Sequence, residues 1–129
     1  MIQKLSPAEI VILLRDIAAL RQEHFVCLSL DSGQRLIAKR TVFIGTLTSV
    51  LAHPREVYAD PLTDRAAAII VAHNHPSGDV TPSKQDISMT QQLMAAGLIL
   101  GIPLNDHIIV AQKKYFSFRK QGLIDPLIF

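Results

Sequence analysis

His73, Asn74 and His75, then Pro76, then Ser83-Lys84-Gln85-Asp86, are the residues of this chain whose types and spacing could do chemistry. In an extended segment, residues two apart face the same side, so His73 and His75 can point at one centre. The stretch that follows holds Pro76, Gly78 and Pro82, which predicts a loop that turns the chain back. It returns into a helix whose first turn carries Asp86. Two imidazoles and one carboxylate form a ligand set that leaves a zinc ion an open fourth position for water. In that position the pKa of a water falls to about 7, which supplies hydroxide at neutral pH. The expectation is one Zn2+ per chain, held by His73, His75 and Asp86.

Each piece has a plainer explanation. A histidine pair around one residue arises by chance, and Ser83 with Asp86 is also a good capping box for a helix. Asp79 reads as a loop carboxylate without a role. A burial explanation, however, would strand two polar rings beside a loop. Together, the pair at a strand end, the Pro-Ser-Gly loop and the capped acidic helix start favour the metal. The letters His-Asn-His also name a class of nucleases, but those spread the residues across a hairpin and a helix.

The elements that must position these residues follow from periodicity. Ser6-Pro7-Ala8-Glu9 is a helix start, with Ser6 as cap, Pro7 at the first helical position and Glu9 closing a capping box. Ile10, Leu13, Leu14, Ile17 and Leu20 recur at helical spacing, which predicts an amphipathic helix over about 6–20. Residues 25–30 and 36–44 read as paired strands around an Asp31-Ser32-Gly33 turn, with Gly45 closing the second. A short helix is expected over about 54–58, stopping before Pro61. The small and branched apolar run 66–72 predicts a strand buried on both faces that delivers His73 at its end. A second long helix is expected from Ser83 to about Ala96, with Gly97 as its stop. Strands at 108–111 and 115–118 flank a Gln112-Lys113-Lys114 turn. The sum is an α/β fold, a mixed β-sheet with flanking helices.

Composition bounds the rest. A chain of 129 residues fits one domain over 1–129, and 49% hydrophobic residues are too many for a disordered chain. No apolar run approaches the ~20 residues of a membrane helix, and residues 1–5 show no signal-peptide pattern, so no membrane partner and a cytoplasmic location are expected. Cys27, the single cysteine, is expected to be a small core residue of a buried strand. The 13 basic and 11 acidic residues leave a charge of +2, and Lys39-Arg40 and Lys113-Lys114 fall short of a phosphate-binding surface. Aromatics at 5%, with no tryptophan, offer no base-stacking platform, so a nucleic-acid partner is weakly supported.

His73, His75, Ser83 and Asp86 resemble the JAB/MPN metalloprotease pattern, the JAMM motif: His-x-His, seven residues, Ser, two residues, Asp. The segments HNHPSGDVTPSKQD, HPREVY, GTLTSV, LDSGQRLIA and LNDHIIV narrow the resemblance to the RadC-like branch, over about residues 20–119. The resemblance implies a JAB/MPN, cytidine deaminase-like architecture and a zinc-dependent peptidase or isopeptidase with a protein or peptide substrate. It also implies a glutamate in or just before the first strand as general base, a place that Glu23 matches. Ser83 would then hydrogen-bond the tetrahedral oxyanion. Glu56 is the rival base, though its place in a short helix suits capping or pairing with Arg55 or Arg65. His24, His53 and His107 are not expected as ligands; an Asp106-His107 hydrogen bond would orient a loop or a group behind the metal.

Two departures from the family bear on function. Longer RadC-like proteins carry an N-terminal region of the helix-hairpin-helix type, which this sequence does not show, and that lowers the expectation of DNA binding. Asp60-Pro61 is expected to interrupt a helix that usually continues. The RadC-like branch is often labelled DNA repair, so the alternative function is a DNA-repair-associated or non-catalytic accessory module that keeps the metal for structure. Steep salt dependence of any DNA binding would mark phosphate contacts.

Overall fold

Alternating and β-branched segments build the sheet that positions everything else. The computed structural model describes residues 5–45 and 53–124; most of the GTLTSV segment lies outside them. Strands β1 (His24–Leu30), β2 (Leu36–Ile44), β3 (Ala68–Asn74), β4 (Leu104–Ala111) and β5 (Lys114–Ser117) form one mixed sheet in the order β2-β1-β3-β4-β5. Only β3 and β4 run parallel among these neighbours; the other pairs are antiparallel. Every residue of β3 is buried, as its unbroken apolar run requires of a central strand covered on both faces.

Helices cover both faces. Helices α1 (Pro7–Leu13) and α2 (Arg15–Ala18) bring Ile10, Leu14 and Ile17 against Val26, Leu28, Ile70, Ala72, Ile108 and Val110. On the other face, α3 (Pro54–Thr63) and α4 (Lys84–Leu100) bring Val57, Tyr58, Met89 and Leu93 against Phe25, Cys27, Val71 and Ile109. Residues alternate between the clusters along β1, β3 and β4, which is the period-2 pattern of a sheet between two layers. Cys27 lies in the second cluster, and burial pushes its thiol up to about 12, so it stays protonated.

Four boundaries differ from the sequence expectation. The first helix is broken at Leu14 (φ −100°, ψ 5°), and this wholly buried residue turns the chain so that Ile10, Leu14 and Ile17 all meet the sheet while Leu20 stays exposed. Helix α3 runs through Pro61 rather than stopping before it. A proline ring supplies a helical φ and costs one main-chain hydrogen bond, and here burial of the Pro61 ring in the last turns offsets that cost. Strand β3 keeps the expected length but is shifted two residues along, starting at Ala68 and taking in His73 and Asn74, while β4 starts four residues early and takes in Asp106 and His107.

The fourth difference concerns Gly97, which is not a stop. Helix α4 continues to Leu100 and ends at Gly101, whose φ of 73° is the left-handed conformation glycine adopts at helix ends. Gly97 serves close packing instead: a Cβ there would lie 2.4 Å from the Tyr58 hydroxyl and 2.6 Å from the Ile102 carbonyl. That hydroxyl donates to the carbonyls of Leu93 and Ile102, at 3.2 and 3.0 Å, and locks α3 to α4. Gly97→Ala should therefore destabilise the chain by about 1–3 kcal/mol, the cost of overpacking. Urea unfolding measures it, and an unchanged midpoint would contradict the packing role.

Candidate metal centre

The centre is assembled where β1, β3, β4 and the start of α4 meet. Phe25 pairs with His73 across β1 and β3, and Val71 pairs with His107 across β3 and β4. Side chains two apart share a face, so Glu23, Phe25, His73, His75 and His107 all fall on the α4 side. His24 has the opposite parity, and its Nδ1 meets the Gln22 carbonyl at 3.0 Å.

Asn74 sets the place of Glu23. It is fully buried; its Oδ1 accepts from the His24 N–H at 2.6 Å, and its amide donates to the carbonyls of Leu20 and Gln22 at 3.2 and 3.0 Å. The middle residue of His-x-His thus clamps the chain on both sides of Glu23. Nothing in composition or periodicity points to this bond, which joins residues 50 apart in the chain.

Asp86 arrives by helix capping. Ser83 and Asp86 form a reciprocal box: the Asp86 N–H donates to Ser83 Oγ at 3.0 Å and the Ser83 N–H to Asp86 Oδ2 at 2.8 Å. The box aims the carboxylate at the histidines, with Oδ1 3.2 Å from His73 Nε2 and Oδ2 3.2 Å from His75 Nε2. The two Nε2 atoms stand 3.0 Å apart. The Glu23 carboxylate joins them, its oxygen and the histidine nitrogens all lying within 4.8 Å of one another. Among the described residues this carboxylate group contains Glu23 and not Glu56, which is exposed and pairs with Arg55 at 3.6 Å. His53 caps α3, its Nδ1 accepting from the Arg55 N–H at 3.1 Å.

Those spacings fit a tetrahedral ion. Bonds of about 2.0–2.1 Å at tetrahedral angles put ligand atoms roughly 3.3–3.4 Å apart, close to the 3.0–3.2 Å separations here. The tautomer of His75 fits as well. Its Nδ1 lies 2.7 Å from the Asp79 carbonyl, which can only accept, so Nδ1 carries the proton and Nε2 of the neutral ring presents a lone pair to the centre. Asp79 thus has two uses the sequence did not suggest, since its carboxylate also accepts from the Thr81 N–H and hydroxyl at 2.9 and 2.7 Å and stiffens the loop.

The local field also favours a cation. The Asp86 carboxylate against His75 raises the pKa of that ring, although partial burial opposes it. Burial pushes the Asp86 carboxyl up, but with protons on the two Nε2 atoms in place of an ion, hydrogen bonds from His73 and His75 outweigh burial and hold it far below the usual carboxylate range. Both shifts say that positive charge between these side chains is stabilised, and a divalent ion supplies it without a proton.

Behind the centre, His107 is fully buried, with Nε2 2.9 Å from His73 Nδ1 and Nδ1 2.7 Å from Thr90 Oγ1. Burial, and next the neighbouring His73, lower its pKa well below the ordinary imidazole value. The expected Asp106-His107 contact involves the main chain instead: Asp106 accepts from the His107 and Arg119 N–H groups at 2.8 and 3.0 Å and from the Ser117 hydroxyl at 2.6 Å. It fastens β4 to the chain after β5, while the His107 ring turns to the centre. The signal for Thr90 lay in helix spacing, since it is one turn after Asp86.

A mixed sheet between helical layers, with a His-x-His strand end facing a Ser/Asp-capped helix start, defines a JAB-type α/β domain. The chain belongs to the RadC-like JAB domain family, whose model matches residues 5–123. It is 49% identical over 112 residues to a UPF0758 protein of Bacillus licheniformis, covering 87% of this chain and 50% of that protein. It is 46% identical over 113 residues to the UPF0758 protein YsxA of Bacillus subtilis, covering 88% and 49%. The chain thus spans about half the length of the curated relatives it matches. Among the described residues no helix is long and apolar enough to cross a membrane.

Proposed function

We propose that this chain is a zinc-dependent hydrolase of peptide or isopeptide bonds. The observation that carries the reading is the convergence of two imidazole nitrogens and the buried Asp86 carboxylate at ligand–ligand spacing, with the Glu23 carboxylate within 4.8 Å of a nitrogen of each ring. His73, His75 and Asp86 would hold the ion; bound there, zinc would supply Lewis-acid polarisation and a water whose pKa falls to about 7. His75 is the more open of the two rings, 14% exposed against 2% for His73, so substrate approaches on its side.

Glu23 acts as the base. Its carboxylate accepts a proton from the attacking water and delivers it to the leaving amine nitrogen as the amide bond breaks. Ser83 Oγ accepts from the Asp86 N–H, which leaves its own O–H to donate to the developing oxyanion. Ser83→Ala should therefore lose about 1 kcal/mol of stability as a missing cap. It should also lose ~10²-fold or more in turnover as a missing oxyanion partner, with metal content unchanged. A lower melting temperature with full hydrolysis would leave Ser83 as a cap alone.

The experiment for the function is a panel of peptide and isopeptide substrates, with chelator and with zinc restored. Cleavage lost to chelator and regained with zinc is expected. A metal-loaded chain that cleaves nothing on the panel, while binding DNA with a steep salt dependence, would favour the accessory-module alternative instead.

A further inference from the structure

His73 can offer Nε2 to an ion only when its ring proton sits on Nδ1. Resting on the metal reading above, we propose that His107, Thr90 and the main-chain carbonyl of Asp86 form a proton-ordered relay that fixes His73 in this tautomer, which makes Thr90 and His107 positioning residues of the centre.

The order is set at the end of the relay. The Asp86 carbonyl oxygen can only accept, and the Thr90 hydroxyl lies 2.8 Å from it. Were the hydroxyl proton turned elsewhere, two oxygens would face each other at that distance with no proton between them. The hydroxyl therefore donates to Asp86, and its oxygen accepts from the neighbour on the other side, His107 Nδ1 at 2.7 Å. A helical threonine bonding back to the carbonyl one turn earlier is common; the histidine on its far side is what turns that bond into a relay.

His107 passes the order on. Its ring is stacked on Phe118 at 4.5 Å between centroids and meets the Phe25 ring edge-on at 6.1 Å. Among the described residues its polar ring contacts are Thr90 and His73, with no carboxylate bonded to it, and a fully buried imidazole so placed stays neutral. With its one proton on Nδ1, Nε2 accepts, so His73 Nδ1 at 2.9 Å must donate. His73 Nε2 is left with its lone pair facing His75 Nε2 and Asp86 Oδ1. The relay begins at the main chain of Asp86 and ends at its carboxylate, so the start of α4 both supplies a ligand and orients another. Reversed order would place a proton on His73 Nε2, in the position an ion needs. Loss of such outer partners lowers metal affinity by ~10–100-fold.

The test reads ring tautomers and affinity, not turnover. In the uniformly 15N-labelled chain, two-bond nitrogen–proton correlations should place the proton on Nδ1 of both His107 and His73, without zinc and with it. Zinc affinity by chelator competition should fall ~10–100-fold in Thr90→Val, which keeps the shape and loses the hydroxyl. Thr90→Ser, which keeps the hydroxyl, should stay close to native. If Thr90→Val does not fold, the tautomers of the native chain decide. A proton on His107 Nε2, or native affinity in a folded Thr90→Val, overturns the relay while the metal centre stands. Nδ1 protons on both rings in a native chain that binds no zinc would instead uphold the ordering and sink the metal reading.

Discussion

Glu23→Gln is expected to bind zinc as tightly as the native chain and to hydrolyse its substrate ~10²- to 10⁴-fold more slowly, the loss that follows removal of a general base. Glutamine keeps the size of the side chain and removes its capacity to carry a proton. Under the proposed assignment the ligands are His73, His75 and Asp86, which stand 3.0–3.2 Å apart, and Glu23 is not needed to hold the ion. The segment should stay in place, because Asn74 holds the main chain on either side of Glu23. Glu56→Gln is the control: that exposed carboxylate pairs with Arg55 at 3.6 Å, and its loss should leave activity nearly unchanged. Paired kinetics and metal titrations of the two variants check this. Zinc lost from Glu23→Gln would make Glu23 a ligand, and a greater loss of turnover in Glu56→Gln would move the base to Glu56.

Asp86→Asn should be the most damaging conservative change to metal binding. The carboxylate accepts from the Ser83 N–H at 2.8 Å and faces both histidines at 3.2 Å, at 1% exposure. Asparagine can still accept at the cap but carries no charge to balance a cation. Zinc affinity should fall by more than the ~10–100-fold that loss of an outer partner costs. Ser83→Ala damages the same capping box and spares the charge, so comparing the two by chelator competition separates ligand from cap. Equal, small losses in both would mean that Asp86 only caps.

Local chemistry made much of this legible in the sequence. The Ser6 and Ser83 boxes, the strand Leu36–Ile44 and the buried run around Ile70 follow from rules that act within a few residues, and the structure has them at those places. The spacing of His73, His75, Ser83 and Asp86 carried the convergence because a strand end and a capped helix start leave the side chains few directions.

What was not legible depends on tertiary packing. Gly97 looked like a helix stop because its close approach to Tyr58 involves a residue on another helix. Pro61 looked like a helix end because its burial could not be seen. Asn74 and His107 reach their roles through register, Asn74 across to the segment around His24 and His107 beside Val71. The hairpin and crossover that set those registers have no local signature. His107 was judged by Asp106, its neighbour in sequence, whereas its ring answers to Thr90 and His73, its neighbours in space.

The most direct measurement is the zinc content of the folded chain, after loading and removal of excess metal, beside His75→Ala treated identically. About one zinc per native chain, and none retained by a folded His75→Ala, is the result a site of two histidines and a carboxylate requires. A native chain that unfolds cooperatively, as a folded protein should, yet holds no zinc after loading would contradict it.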